Sequence, residues 1–412
     1  MYEEGRLDVY LSVVNDDGQI NKYHIIKNKF VDSGLYKHVG YIGTKSKESN
    51  ALNLLKAYFS ESKAILLDET NKLIVDQLKI LHVPEFSEGK KEKTIFDFKN
   101  FLLMYYTSGS TGMPVGALKS KENIESEVHT LTQLLKPYKI KRVIVTVPFI
   151  HLYGTLFGLF YPLLNNIDII FKEHFLPHDL VDLIDPYTMV VTTPLYIKAL
   201  NKLEEDKDLS KSLFISSTAP LDEASIQCFN EKYNTDIIQI FGSTETGGIA
   251  YKVNKQDLWK PFDSVSLNVN MQEELSVSSP FVSRLLYSKN FIETNGTIQT
   301  FDYVELEESG FKLLGRSSKI FKLAGKRYST VQIENILEDI EGIEKVLVFV
   351  VLAKDSLRGE YIDITLESKE SFTVKEIKKI LQDNLSNLKF SIQLTIVDKI
   401  PVNQIGKKLR IK

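Results

Sequence analysis

Cysteine is all but missing: one residue, Cys228, in a chain of 412. A lone thiol cannot close an internal disulfide, which fits a reducing compartment. There is no surplus of either charge. Lys and Arg number 51 and Asp and Glu 54, a formal net charge of −3, so nothing in the balance draws the chain to nucleic acid or an anionic membrane. Long apolar runs are absent too. The most apolar stretch, "TLFGLFYPLL" at 155–164, is far short of the roughly 20 residues a spanning helix needs. The first residues, "MYEEGRLDVY", are acidic and lack the apolar core of a signal peptide. No repeat and no long low-complexity segment is visible. These absences exclude several classes and lead us to expect a cytoplasmic protein.

What is present is a chain with 43% hydrophobic residues, too long for one compact core, which predicts two or three domains. From Leu102 to Leu221 short apolar runs alternate with longer amphipathic ones. "RVIVTVPF" (142–149), "MVVTT" (189–193), "SLFISS" (212–217) and "DIIQIF" (236–241) read as buried strands. "LDEASIQCFNEKY" (221–233) reads as a crossover helix, with Cys228 taken as structural. Such alternation predicts α/β layers around a mainly parallel sheet. After Gly315 the pattern changes. A short capped helix is expected over 328–342, strands at 345–351, 361–367 and 391–398, and a helix over 373–385 opened by the capping-box spacing of Thr373 and Glu376. The expected division is a large domain over 1–316 and a small, mobile α+β domain over 317–412. "PEFSEGKKEK" (84–93) is expected to be an exposed loop.

Four stretches carry candidate chemistry. Thr107, Ser108, Gly109, Ser110, Thr111 and Gly112 follow an apolar run. Glycines let the backbone curl until its N–H groups converge on an anion, and hydroxyls add donors. No Gly-Lys-Ser/Thr follows, so this is not a Walker loop. "FGSTETGG" (241–248) follows a predicted strand, and ligands of open α/β sheets gather beyond the carboxyl ends of strands. A glutamate beside a threonine there suits Mg²⁺ and a phosphate oxygen. Asp302, with Gly315 and Arg316 after a gap, offers a carboxylate to ribose hydroxyls. "PVNQIGKKLR" (401–410) puts Lys407 after a glycine close to the C-terminus. Each also has a plain reading: a Ser/Gly turn between a strand and a helix, a strand-to-helix turn with Glu245 as a helix-start charge, a surface ion pair and a basic tail. The single tryptophan, Trp259, is read as packing, and His24, His38, His82, His129, His174 and His178 show no metal-ligand spacing.

Order and spacing join these stretches. "YTSGSTGMPVG" (106–116), "PFIHLYG" (148–154), "SSTAPL" (216–221), "FGSTE" (241–245), "ELSVSSPFV" (274–282), Asp302 with "GRSSKIFKLAGKRYSTVQIENIL" (315–337), and "IPVNQIGKKLR" (400–410) together resemble the adenylate-forming superfamily. That superfamily includes acyl-CoA synthetases, aryl-CoA ligases, luciferases and peptide-synthetase adenylation domains. The resemblance runs from about residue 40 to the end. It implies a two-step reaction: a carboxylate attacks the α-phosphate of ATP, and a pantetheine thiol, of CoA or an acyl carrier protein, then displaces AMP. By the match, Lys407 bridges the carboxylate and the α-phosphate, Thr244 binds the α-phosphate, and Glu245 binds Mg²⁺. Residues 107–112 hold the β- and γ-phosphates. Asp302 and Arg316 grip the ribose. Phe241 and Gly242, with Ser217 and Ala219 of "SSTAPL", flank the adenine, and His151 stands between acyl pocket and thiol tunnel. The physics is consistent, since two approaching anions need cations and donors between them.

Three departures stand out. Val115 takes a position where the family commonly has lysine, and Lys119, four residues on, is a candidate substitute. Ser318 replaces the usual Asp or Lys at the hinge. The region before the phosphate loop is short for the family, which suggests a reduced N-terminal subdomain or compensation by a homo-oligomer. The expected function is ATP-dependent activation of an aryl or short-to-medium acyl acid and its transfer to a thiol. An amino acid fits less well, because "PFIHLYG" has no aspartate for its ammonium group. The alternative is a non-catalytic nucleotide-binding relative acting as sensor or scaffold.

Overall fold

The structure is a computed structural model that describes residues 8–89, 92–107, 115–204, 206–270, 274–316, 320–323, 326–352, 360–384, 391–402 and 408. The chain divides into two compact units, one of Met1–Leu267 with Ser276–Ile298, the other of Asn268–Leu275 with Gln299–Lys412. Of the hinge expected near Gly315 to Ser318, Gly315 and Arg316 end the strand Gly310–Arg316, and residues 317 and 318 lie outside the described residues. Among the described residues no helix is long and apolar enough to cross a membrane.

The first unit is built on a nine-stranded sheet. Its inner six strands run parallel in the order Asp236–Ser243, Leu213–Ser216, Thr188–Thr192, Arg142–Val145, Asp168–Lys172 and Val9–Val14. Antiparallel strands close both edges: Gly247–Val253 and Lys260–Pro261 on one, Ile20–Ile25 on the other. The central runs Thr188–Thr192 and Leu213–Ser216 are largely apolar because helices cover both faces of a parallel sheet. Thr188–Thr192 and Leu213–Ser216 are buried at every residue. The helix Glu223–Tyr233 is capped by Asp222, whose side chain accepts from the Ser225 N–H, and it places Phe229 and Tyr233 against Phe214 and Ile237. Cys228 falls in this helix as expected, but on its exposed side, so it fills no core position.

A second, six-stranded sheet is mixed, in the order Phe291–Glu293, Leu285–Tyr287, Val115–Lys119, Leu103–Thr107, Lys63–Leu66 and Val39–Ile42. Residues 84–88 correct the expected loop. Phe86 is 2% exposed and starts a 3₁₀ turn, and Glu85 bridges to Tyr41. One aromatic ring, packed against His38, holds a segment whose composition reads as solvated.

The N-terminal strands Val9–Val14 and Ile20–Ile25 went unread in the sequence, although the first alternates buried and half-buried residues. Val9–Val14 joins the large sheet beside Asp168–Lys172, a partner more than 150 residues away in sequence.

In the second unit a hairpin of Thr297–Glu307 and Gly310–Arg316 precedes a three-stranded sheet of Ile343–Leu352, Glu360–Ser368 and Ser391–Val397. The helices Thr330–Glu338 and Val374–Asn384 supply Ile333, Leu337, Ile377 and Leu381 to its core. The first helix is shorter than expected because Lys326–Ser329 pairs as a strand with Ile320–Leu323. The Thr373 capping box forms: the Glu376 N–H donates to Thr373 Oγ1 (3.3 Å), and the Thr373 N–H donates to Glu376 Oε2 (2.8 Å).

Candidate active site

Four neighbouring parallel strands of the first unit end on one edge of the large sheet, and candidate residues follow three of them. The strand Arg142–Val145 leads to "PFIHLYG". Thr155, in the short helix Leu152–Thr155, turns its N–H (3.0 Å) and its hydroxyl (3.1 Å) back onto the His151 carbonyl. Gly154 allows this turn to sit against the preceding chain, since a Cβ there would lie 2.1 Å from the Pro148 carbonyl oxygen. A π-helical turn, Leu156–Phe160, follows and is buried throughout; such turns are frequent at functional sites. His151 is half-buried. Burial pushes its imidazole below its ordinary value and Asp68 pulls it part of the way back, which leaves the ring neutral at pH 7.

Tyr153 is a residue that the sequence reading passed over. Its hydroxyl lies 3.0 Å from the Thr192 carbonyl and 2.8 Å from that of Ile215, so it ties the ends of two adjacent strands to the His151 segment. Past Ile215 the chain turns through "SSTAPL". Ser217 Oγ donates to the Ile240 carbonyl at 2.9 Å, which joins this loop to the strand carrying Phe241. Ala219 is exposed. Between them Thr218 has φ of +82°, a conformation that crowds a β-branched side chain and that clusters at functional sites. Thr218→Gly is expected to raise unfolding free energy by up to about 1 kcal/mol, the left-handed strain less the freedom glycine gives the unfolded chain. The denaturant midpoint reads this, and a lower midpoint would show that contacts of the threonine side chain outweigh the strain.

"FGSTETGG" is a hairpin rather than a strand-to-helix turn. The strand Asp236–Ser243 runs through Phe241 and Gly242, bulges between them, and returns as Gly247–Val253. Thr246, fully buried, locks the turn. Its hydroxyl accepts from the Ser243 N–H at 3.0 Å and lies 2.8 Å from the Gly247 carbonyl. Thr244 and Glu245 are half-buried at the tip. Phe241 leans on Trp259 with ring centroids 5.5 Å apart. Among the described residues no group of three or more His, Cys, Asp or Glu side chains gathers as a metal site. One carboxylate suits Mg²⁺ that arrives already bound to ATP phosphates.

The phosphate-loop candidates divide. Thr107 ends the strand Leu103–Thr107 and pairs with Val115, while Ser108, Gly109, Ser110, Thr111 and Gly112 lie outside the described residues. Lys119 is no substitute for the missing loop lysine. It is 1% exposed, and its Nζ donates to the carbonyls of Phe281 (2.6 Å) and Glu245 (3.2 Å). In the second unit, Asp302 is 4% exposed and stands directly across the hairpin from Arg316. Lys407 lies outside the described residues.

An α/β sheet whose carboxyl edge gathers an aromatic, hydroxyls, a histidine and one carboxylate defines a nucleotide-handling enzyme of the open-sheet class. The sequence profile described as "AMP-binding enzyme" matches residues 39–275, more than half of the chain, and the chain belongs to that family, within the adenylate-forming superfamily. It is 24% identical over 333 residues to a 2-succinylbenzoate–CoA ligase of Listeria monocytogenes, covering 77% of this chain and 70% of that one. It is 23% identical over 397 residues to peroxisomal OPC-8:0-CoA ligase 1 of Arabidopsis thaliana, covering 88% and 73%. The fold matches that of o-succinylbenzoate CoA synthetase from Bacillus subtilis in complex with its acyl-adenylate intermediate, with a TM-score of 0.80, 17% identity, and 99% and 95% of the two chains covered. ATP-bound MatB from Rhodopseudomonas palustris gives a TM-score of 0.77 at 16% identity, with 98% and 95% covered.

Proposed function

We propose that this chain is an AMP-forming acid–thiol ligase. It activates an aryl or short-to-medium acyl carboxylic acid with MgATP and transfers the acyl group to coenzyme A. The observation that carries the reading is the hairpin that presents Phe241, Thr244 and Glu245 at the carboxyl edge of the sheet, tied to the "SSTAPL" loop through Ser217 and the Ile240 carbonyl. In this reading Phe241, Gly242, Ser217 and Ala219 flank the adenine. Thr244 binds the α-phosphate, and Glu245 meets the Mg²⁺ brought by ATP. Residues 107–112 hold the outer phosphates, and Asp302 and Arg316 hold the ribose. Lys407 bridges the reacting anions, and His151, neutral, lies between acid and thiol. Coenzyme A is favoured over a carrier protein because relatives along most of the chain are named as CoA ligases. The domain 317–412 is the part that moves between half-reactions.

The test is ATP–pyrophosphate exchange over a panel of aryl and aliphatic acids, followed by thioester formation with coenzyme A and with a phosphopantetheinylated carrier protein. Exchange that depends on one class of acid establishes adenylation and narrows the substrate. ATP binding without exchange for any acid would favour a sensor or scaffold. Glu245→Gln is expected to raise the Mg²⁺ requirement of exchange, since an amide is a poor ligand for a hard dication. An unchanged Mg²⁺ titration would remove Glu245 from the metal role.

A further inference from the structure

The hairpin tip carrying Thr244 and Glu245 is gripped from behind by two buried charges. Lys119 ends the strand Val115–Lys119 and gives its Nζ to the Glu245 and Phe281 carbonyls. The Glu245 carbonyl accepts a second bond, from the Ser283 N–H at 2.9 Å. Glu127, on the helix Lys121–Leu135, is 3% exposed, and its Oε1 accepts from the Gly248 N–H at 2.6 Å. Its Oε2 fills the space where a Cβ on Gly247 would stand, 2.6 Å away. A cation therefore holds one side of the turn and an anion the other. Asn123, on the same helix, fixes the neighbouring segment through the carbonyls of Pro280 (2.6 Å) and Val282 (3.3 Å). Burial pushes the Lys119 ammonium below its ordinary value and the Glu127 carboxyl above its own, and each charge is the largest electrostatic offset to the other's burial.

Stability alone does not account for this arrangement. Buried charge pairs are often replaced by apolar residues at no loss, or with a gain. What an apolar pair cannot do is bond to the Glu245 carbonyl and the Gly248 N–H on either side of a turn while tying it to the Phe281 carbonyl. We propose that Lys119 and Glu127 are positioning residues for adenylation, which set Thr244 and Glu245 by clamping the backbone on both sides of the turn. The proposal rests on the reading of this hairpin as the element that meets the α-phosphate and its metal.

Trp259, the single tryptophan of the chain, lies against Phe241, so its fluorescence reports a nucleotide arriving there without any turnover. The experiment compares wild type, Glu127→Gln and the double variant Lys119→Met/Glu127→Gln. Each is titrated with ATP over a series of Mg²⁺ concentrations well below its unfolding temperature. The double variant leaves no buried charge behind the turn, so it is expected to melt no lower than Glu127→Gln. It nevertheless lacks the Lys119 donor to the Glu245 carbonyl, leaving only the Ser283 N–H there, and is expected to need about tenfold more Mg²⁺ for the same fluorescence change, the loss of one hydrogen bond from a charged group. A double variant that titrates with Mg²⁺ like wild type overturns the proposal and leaves the pair a packing role. If the double variant does not fold, Lys119→Met alone carries the test, because it removes the Lys119 donor to the Glu245 carbonyl while Glu127 still accepts from Gly248; a raised Mg²⁺ requirement supports the proposal and a wild-type one overturns it. A wild-type protein whose fluorescence ignores MgATP fails the reading of the hairpin itself, an outcome distinct from wild type and variants responding alike.

Discussion

Replacing Lys407 by alanine is expected to lower acid-dependent pyrophosphate exchange by on the order of 10²–10³-fold, the usual cost of removing one preorganised contact to developing charge. In the proposed reaction a carboxylate and a triphosphate, both anions, must come within bonding distance. A cation shared between them acts most strongly as they meet and has no such task once pyrophosphate has left. Thioester formation from supplied acyl-adenylate is therefore expected to survive the substitution. The adjacent cation is not a reserve. Lys408 Nζ donates to the Val346 carbonyl at 2.7 Å and is held between Glu334 and Glu338, all within the second unit. It fixes the chain beside Lys407 and has no freedom to replace it. Exchange at the wild-type rate in Lys407→Ala would refute the role given to "IGKKLR". Equal loss in both half-reactions would point to damage to the second unit.

Gly242→Ala is expected to cost nearly as much by a different route. A Cβ on residue 242 would lie 2.3 Å from the Gly247 carbonyl oxygen and 3.0 Å from Gly248 Cα. Both are backbone of the facing strand, so no side chain can swing aside, and the hairpin must open. Overpacking of this kind costs about 1–3 kcal/mol of stability. The kinetic cost is larger than the stability cost suggests, because Phe241 stands on one side of Gly242 and Thr244 and Glu245 on the other. A shift of about 1 Å at reacting groups is worth roughly 10²-fold in rate. Exchange measured well below the variant's melting temperature, with circular dichroism to show that it is folded, separates the two effects. A folded Gly242→Ala that exchanges like wild type would take the hairpin out of the adenylation site.

Much of this protein was legible without its structure, wherever the signal is local. The strands at 189–193, 212–217 and 236–241 are apolar runs because both faces of a parallel sheet are covered, and they lie within one or two residues of the observed Thr188–Thr192, Leu213–Ser216 and Asp236–Ser243. Thr373 and Glu376 cap their helix because the bonds span three residues and need nothing else. The order and spacing of the chemical stretches were likewise enough for the family. The tertiary structure decided matters that depend on a distant partner. Lys119 follows the phosphate loop in sequence and stood as a candidate substitute for its lysine, yet it points inward, because carbonyls at Glu245 and Phe281, more than 120 residues away, accept its protons. Glu127 carries no local signal in the sequence; its place is set by the Gly248 N–H, more than 120 residues away, which donates to its Oε1. Phe86 sat in a charged stretch whose composition spoke for solvent, and one docked ring overruled it. Periodicity along a chain says which side of an element is apolar. It cannot say which backbone groups will be waiting on the buried side, and those groups determine whether a buried charge is a fault or a clamp.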